Sequence, residues 1–436
     1  MFYKKITDYI KTFNNDNIIT KKSSIDKNII IKMYEELTII TTNITNSINN
    51  IVININKNIF EKKTTINDGL NFHLQNAIAN NTHDKITSYL NVNKNNNISR
   101  QAYESRASYF NYEQLKFIND NLLINDKKNI KSIESEKYID GTNINIYDKP
   151  NKNGYRNINI LGITGNNNNS FLFTNKIDTN KNSEIKLFYK LIENNPFEKN
   201  EIIIVDRYYF SIKFISICIK KQIRFIARLK LNSLLLNKFN DHIKNNHKKI
   251  NYDPFNYVIN FNNKQIRVVS FKTKNEYIHL ATTVKNKSVE YFKIKYGSRW
   301  NVEIFFKHIK KNSSIDKITS HKIETVNNII ISSSINQLII DRLISIYNNL
   351  NIKKNKCINI TTFYDIYSKY LMYKLINNNL SFEEFEKIII LNISFYTQKI
   401  DKTISNERYS IKPYTKWHYK YITNIQKNNK QNDDIT

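Results

Sequence analysis

Ile202-Ile-Ile-Val-Asp206 is an unbroken apolar run closed by one carboxylate. A strand with one wet face alternates apolar and polar residues, whereas a continuous apolar run belongs to a central strand covered on both faces. The stretch therefore predicts an α/β fold class. Upstream, Lys137-Tyr-Ile-Asp-Gly-Thr-Asn-Ile-Asn-Ile146 alternates like a strand and carries Asp140 followed by Gly141. Residues 157–164 and 170–174 read as two more strands, parted by an asparagine turn at 166–169. A helix over 183–193 has Ile185, Leu187, Phe188, Leu191 and Ile192 as its apolar face. Downstream follow a helix near 212–221 and a strand over 224–230.

Strand, strand, strand, helix, strand, with an aspartate on the first and last strands, is the layout of a ribonuclease H-like core, a mixed β-sheet flanked by helices. Its closing helix is delayed here, because residues 255–261, 265–271 and 277–283 read as an antiparallel β insertion. The expected organisation is a helical N-terminal region (1–130), the first part of the core (131–232), the β-rich insertion (233–286), core helices (287–350) and a helical C-terminal region (351–436). That last region holds helices near 360–376 and 381–391 and a polar, disordered tail from 427.

The core helices open on Tyr296-Gly-Ser-Arg-Trp-Asn-Val-Glu-Ile-Phe-Phe-Lys-His-Ile-Lys310, which reads as one amphipathic helix. At about 100° per residue, Tyr296, Arg299, Glu303 and Lys310 fall within roughly 60° of one another. Val302, Phe305, Phe306 and Ile309 take the adjoining arc and suit a core. His308 points away from the quartet and is expected to be exposed. A Glu and a Lys on a helix ordinarily only solvate it. A carboxylate between two cations and a phenol, however, suits a metal ion and a phosphate.

Tyr-x2-Arg-x3-Glu-x6-Lys, with Trp300 after the arginine and Phe305-Phe306 after the glutamate, resembles the signature of the insertion-sequence-four family of DDE transposases. Asp140-Gly-Thr142 and Asp206-Arg-Tyr-Tyr-Phe-Ser211 resemble its two aspartate motifs, and a β insertion before the glutamate is also the family's. Tyr208 departs from it, standing where the family usually has a glycine that permits a tight turn. The resemblance implies a DNA transposase that cleaves transposon ends in a metal-dependent reaction and transfers the freed 3′-hydroxyl into target DNA. Asp140, Asp206 and Glu303 are then the catalytic carboxylates. Such a trio needs compensating charge, which two divalent cations about 3.5–4 Å apart supply. Oxygen-only ligands favour Mg²⁺, with Mn²⁺ as a substitute. Tyr296, Arg299, Lys310 and Arg207 are expected on DNA phosphates, and synapsis of two ends implies a homodimer.

Composition points the same way. The 436 residues carry 67 Lys and Arg against 38 Asp and Glu, a formal charge of +29, which favours nucleic acid over a small-molecule substrate; the resemblance makes it double-stranded DNA. Part of that excess also fits an AT-rich coding bias, since Asn, Ile, Lys and Tyr crowd a chain with only 6 Gly and 4 Pro. The two cysteines, Cys218 and Cys357, form neither a disulfide framework nor a zinc site, as expected in a reducing compartment. Met1-Phe-Tyr-Lys-Lys-Ile-Thr-Asp8 lacks an apolar signal core, and the greasy stretch 329–340 is too short and polar to span a bilayer. An intracellular, non-membrane protein is expected, located wherever the element's DNA resides, with a buried helix over 329–347.

Residues 1–60 give only weak helical signals. Beyond them, helices are expected over 70–79, from the cap Thr82 to Leu90, and from the cap Ser99 to Phe110. The last puts Tyr103, Ala107 and Phe110 at core spacing and leaves Arg100 and Arg106 outward. These helices resemble a small DNA-binding unit; they read equally well as an ordinary bundle with a solvated basic face. Two rivals to a transposase stay open. One is a decayed or domesticated relative that only binds DNA; the other is a ribonuclease H-like nuclease without strand transfer.

Overall fold

The computed structural model describes residues 27–55, 64–79, 81–128, 135–147, 155–165, 171–173, 183–194, 197, 201–229, 255–261, 264–272, 277–320, 322–350, 356–393 and 397–399. The reading of a disordered tail from 427 lies outside them. Two compact units divide the chain, one drawn from Met1–Asn125, Lys311–Ser314 and Ile331–Ile400, the other from Asp126–Lys310, Ile315–Ile330 and Asp401–Thr436.

The first unit is helical. It opens with α1 (Lys27–Ile55), α2 (Ile66–Asn76), α3 (His83–Lys94), α4 (Arg100–Ala107) and most of α5 (Tyr112–Lys128). In α1, Ile30, Met33, Leu37, Ile40, Ile44, Ile48 and Ile51 are buried at intervals of three or four residues, so a single face carries the helix into the core. Side-chain caps start the next three helices. Thr65 and Asp68 form a reciprocal capping box, Thr82 accepts from Lys85 N–H, and Ser99 accepts from Ala102 N–H. Phe72, Ile86, Leu90, Ile98, Tyr103, Ala107 and Tyr373 form the core of this part.

The second unit is a mixed sheet with helices on it, an α/β architecture. In chain order it contains β1 (Ser135–Tyr147), β2 (Tyr155–Gly165), β3 (Phe171–Phe173), α6 (Glu184–Asn194), β4 (Glu201–Val205), α7 (Ile212–Lys220) and β5 (Arg224–Arg228). Next come β6 (Phe255–Phe261), β7 (Lys264–Lys272), β8 (Tyr277–Thr282), α8 (Val289–Gly297), α9 (Trp300–Asn312) and β9 (Lys317–Ile318). Among the described residues the sheet has nine strands in the order β3-β2-β1-β4-β5-β8-β7-β6, with β9 also paired to β1. β1, β4 and β5 run parallel, while β2 and β3 on one side and β8, β7 and β6 on the other are antiparallel. The insertion thus extends the core sheet from its β5 edge.

Every residue of β4 is buried, as its apolar run requires. Ile203 and Val205 pack with Leu187, Phe188 and Phe214 from α6 and α7. Ile202 and Ile204 face the other way, among Phe292, Val302, Phe305, Phe306 and Ile309 from α8 and α9. An ion pair between half-buried Lys295 and buried Glu136, Nζ to Oε1 at 2.6 Å, ties α8 to β1.

The reading of residues 296–310 as one helix is corrected. The helix breaks between Gly297 and Trp300, where Arg299 N–H bonds Tyr296 C=O at 3.1 Å and Asn301 N–H bonds Ser298 C=O at 3.0 Å, both spanning three residues rather than four. Glycine favours freedom over helix, and the Ser298 hydroxyl turns back onto Ile294 C=O at 3.1 Å.

α9 lies close to the sheet at Gly162, the residue paired with Asp140 across β1 and β2. A Cβ there would stand 2.6 Å from Phe306 Cζ and 2.9 Å from Phe305 Cε1. Both rings are buried and cannot step aside into solvent. Gly162→Ala is therefore expected to lower unfolding stability by about 1–3 kcal/mol through overpacking. Urea denaturation checks this, and an unchanged midpoint would show that the contact is slack.

The chain closes with α10 (Ile323–Leu350), β10 (Lys356–Ile358), α11 (Ile360–Ile366), a π-helical turn Tyr367–Leu371, α12 (Met372–Ile376), α13 (Phe382–Ile393) and β11 (Thr397–Lys399). The expected helix over 329–347 is longer than read. By length and composition alone residues 323–348 could cross a membrane, but 89% of the apolar window is buried within the protein. Asn336, buried on this helix, has internal partners: its Nδ2 donates to Leu74 C=O at 2.9 Å and its Oδ1 accepts from Tyr367 Oη at 3.1 Å.

Candidate active site

Strand register brings the two aspartates together. The parallel pairing of β1 with β4 ends at Ile139 opposite Val205, so Asp140, within β1, and Asp206, the first residue past β4, stand side by side. Asp140 points to the α9 face, where Arg299 reaches it: Nη1 lies 2.9 Å from Asp140 Oδ2, and Nη2 lies 2.9 Å from Glu303 Oε1. Tyr296 Oη donates to Asp206 Oδ1 at 3.1 Å. The expected carboxylates are thus linked to the phenol and guanidinium of the same motif, with Tyr296 buried. Lys310 Nζ donates to Asn143 C=O at 2.7 Å, farther along β1.

Arg207, directly after Asp206, is partly buried, and so is His308, which was expected to be exposed. Arg100 and Arg106 lie on α4 in the helical unit. Arg100 Nε pairs with Glu104 at 2.7 Å, and Arg106 Nε donates to Thr64 Oγ1 at 3.0 Å.

Tyr208 fits the turn without strain. Tyr209 N–H bonds Asp206 C=O and Phe210 N–H bonds Arg207 C=O, both at 3.2 Å. Among the described residues, positive φ outside glycine occurs at Asn95, Gln222, Asn286 and Asn378, not at Tyr208. Its ring projects outward, 53% exposed, so glycine's freedom is not needed here.

Two residues of the site were given no role by the sequence. Tyr209, fully buried, donates to Glu184 Oε1 at 2.6 Å and lies 3.4 Å from Asp140 Oδ1. Glu184 opens α6 on the opposite sheet face from α9. Its carboxyl group rests against Gly141, where a Cβ would stand 2.1 Å from Glu184 Cδ. The available signal was the pair Asp140-Gly141 itself, a glycine beside a strand carboxylate that leaves room for a third group.

Residues 133–336 match the family model of the transposase DDE domain. Over that stretch the chain is similar to DDE transposases. No curated protein matches the chain. The mixed sheet with flanking helices is consistent with the ribonuclease H-like fold of such enzymes.

DDE transposases generally use divalent metals. Among the described residues no three His, Cys, Asp or Glu side chains are grouped as a ready cage, since Arg299 bridges Asp140 and Glu303. The donors nevertheless fit a hard divalent cation in kind, being carboxylate oxygens throughout. They fit it in charge as well. Burial raises the Asp140 carboxyl above its ordinary range, Arg299 opposes this and Asp206 adds to it. Burial also raises Glu303, with Arg299 opposing, and Glu184, with the Tyr209 hydrogen bond opposing. The Arg299 guanidinium is pulled down by burial but held above its usual value by Tyr296, Asp206, Asp140 and Glu303.

The sign of these shifts predicts a pH dependence. A carboxyl whose pKa is raised by folding stabilises the folded state below the unfolded value, about 4, and loses that contribution as pH rises through the folded value. Metal-free protein should therefore lose stability relative to Asp140→Asn as pH climbs from about 4 toward neutrality. Thermal melts of both proteins in chelator provide the comparison. A difference that stays constant with pH would remove Asp140 as a source.

Proposed function

We propose that this protein is a cut-and-paste DNA transposase of the insertion-sequence-four type. It cleaves transposon ends and joins the freed 3′-hydroxyl to target DNA inside the cell, acting as a homodimer that holds two ends. One observation carries the reading: Asp140 on β1 and Asp206 at the end of the adjacent parallel strand β4 stand side by side, and Arg299 ties Asp140 to Glu303.

Asp140, Asp206 and Glu303 would hold Mg²⁺, two ions per site with Mn²⁺ as a substitute, and the bound cations would supply Lewis acidity for in-line phosphoryl displacement. The remaining work falls to the chain. Arg299 presents a planar fork and Lys310 a point charge to phosphates near the cleaved bond. Tyr296 orients Asp206 through its hydroxyl. Arg207, beside Asp206, adds a phosphate contact, and Arg100 and Arg106 add DNA contacts from the helical unit.

The test is excision in cells of the gene flanked by its own DNA, followed by sequencing of donor and target. Excision with a joined target product supports the reading. Nicked ends without joining would indicate a nuclease, and DNA binding without cleavage would indicate a relic.

A further inference from the structure

Glu184 is a residue whose position the proposed chemistry does not yet use. A carboxylate in the first turn of a helix ordinarily needs no more explanation than the free amides there. Its side chain, however, reaches away to β1. Gly141 gives it room, since a Cβ at that position would lie 2.5 Å from Glu184 Oε1 as well as 2.1 Å from Cδ. Tyr209 fixes its end, with the phenol oxygen 2.6 Å from Glu184 Oε1 and 3.4 Å from Asp140 Oδ1. The Tyr209 ring is itself held, fully buried with its centroid 4.5 Å from that of Phe188.

A phenol carries one proton, so two neighbouring carboxylates compete for a single donor. The distances say which wins. At 2.6 Å the bond to Glu184 is short and strong; at 3.4 Å the approach to Asp140 is at the edge of hydrogen bonding. Remove Glu184, and among the described residues Asp140 is the acceptor left within reach of the hydroxyl. A small rotation of the C–O–H bond would then turn the proton onto Asp140 Oδ1, an oxygen that already accepts from Gly141 N–H at 2.9 Å.

We propose that Glu184 is a positioning residue of this site: by accepting the Tyr209 hydrogen bond, it leaves Asp140 Oδ1 open to the divalent cation. The inference rests on the reading of Asp140 as a cation ligand. Glu184 acts through Tyr209, which separates this role from direct coordination and from simple structural support.

The experiment is Mn²⁺ binding to the full chain without DNA, followed by the electron paramagnetic resonance signal of free Mn²⁺, with thermal melts to establish folding. Glu184→Ala is expected to weaken Mn²⁺ about tenfold, the usual cost of losing a group that orients a ligand. Gly141→Ala, whose methyl evicts the carboxyl group, should reproduce that loss. Tyr209→Phe keeps the ring and removes the competing proton, so it should leave affinity near wild type. The decisive protein is Glu184→Ala with Tyr209→Phe, which should recover the affinity lost in Glu184→Ala. A double variant as weak as Glu184→Ala would mean that Glu184 binds the cation itself and would overturn the proposal, as would a Glu184→Ala protein of unchanged affinity. If wild type binds no Mn²⁺, or Asp140→Asn binds as well as wild type, the underlying reading of Asp140 fails and the inference falls with it.

Discussion

Glu303→Gln is expected to reduce cleavage of DNA ends at least about a thousandfold, the upper range for deleting one group that stabilises charge in a preorganised site. The substitution is nearly isosteric, and its amide oxygen can still accept from Arg299 Nη2, which Glu303 Oε1 meets at 2.9 Å. What disappears is one negative charge. Because α9 keeps Val302, Phe305, Phe306 and Ile309 buried, the fold and the basic surface should persist. DNA affinity by gel shift should stay within about threefold, since phosphate neutralisation by Lys and Arg dominates it. Glu193→Gln is a suitable control, being a carboxylate at the far end of α6 that pairs with Lys213 at 3.5 Å. Cleavage that survives in Glu303→Gln, or falls equally in the control, would remove Glu303 from the chemistry.

The core was legible because its elements follow patterns that sequence displays directly. The apolar run before Asp206 reads as a short strand buried on both faces, and the alternation around Asp140 gives a strand with two different faces. What no pattern supplies is pairing. Only the parallel register of Ile139 with Val205 sets the two aspartates side by side, and only the pairing of β5 with β8 makes the meander part of the core sheet. The helix over 296–310 failed as a single element because the helical wheel ignores local chemistry. Gly297 and Ser298 break it, so Tyr296 meets Asp206 instead of lining up with Glu303. Glu184 was hidden for another reason: a glutamate in the first turn satisfies the helix dipole and attracts no second thought. α1 shows the reverse case. Its isoleucines are regularly spaced, but the Ile, Thr and Asn between them have poor helix propensity, which masks a helix held together by burial.

Arg299 holds two of the site's carboxylates together. Its guanidinium is nearly buried and donates to Asp140 and Glu303, both at 2.9 Å. Two carboxylates this close repel, and burial already disfavours their charge. In metal-free protein Arg299→Ala should therefore cost about 3 kcal/mol, the lower end for stranding buried charges, because Glu303 retains some solvent. The same variant should gain more stability from Mg²⁺ than wild type does, since a cation that binds only the folded state shifts the equilibrium by mass action and no longer competes with the guanidinium. Arg299→Lys should fall between them, because one ammonium cannot fork to both carboxylates. Urea denaturation with and without Mg²⁺ measures each term. Equal stabilisation of wild type and Arg299→Ala by Mg²⁺ would show that cation and guanidinium do not share these carboxylates. A larger gain in the variant would place them in exchange, with cation binding freeing the Arg299 fork to take a DNA phosphate.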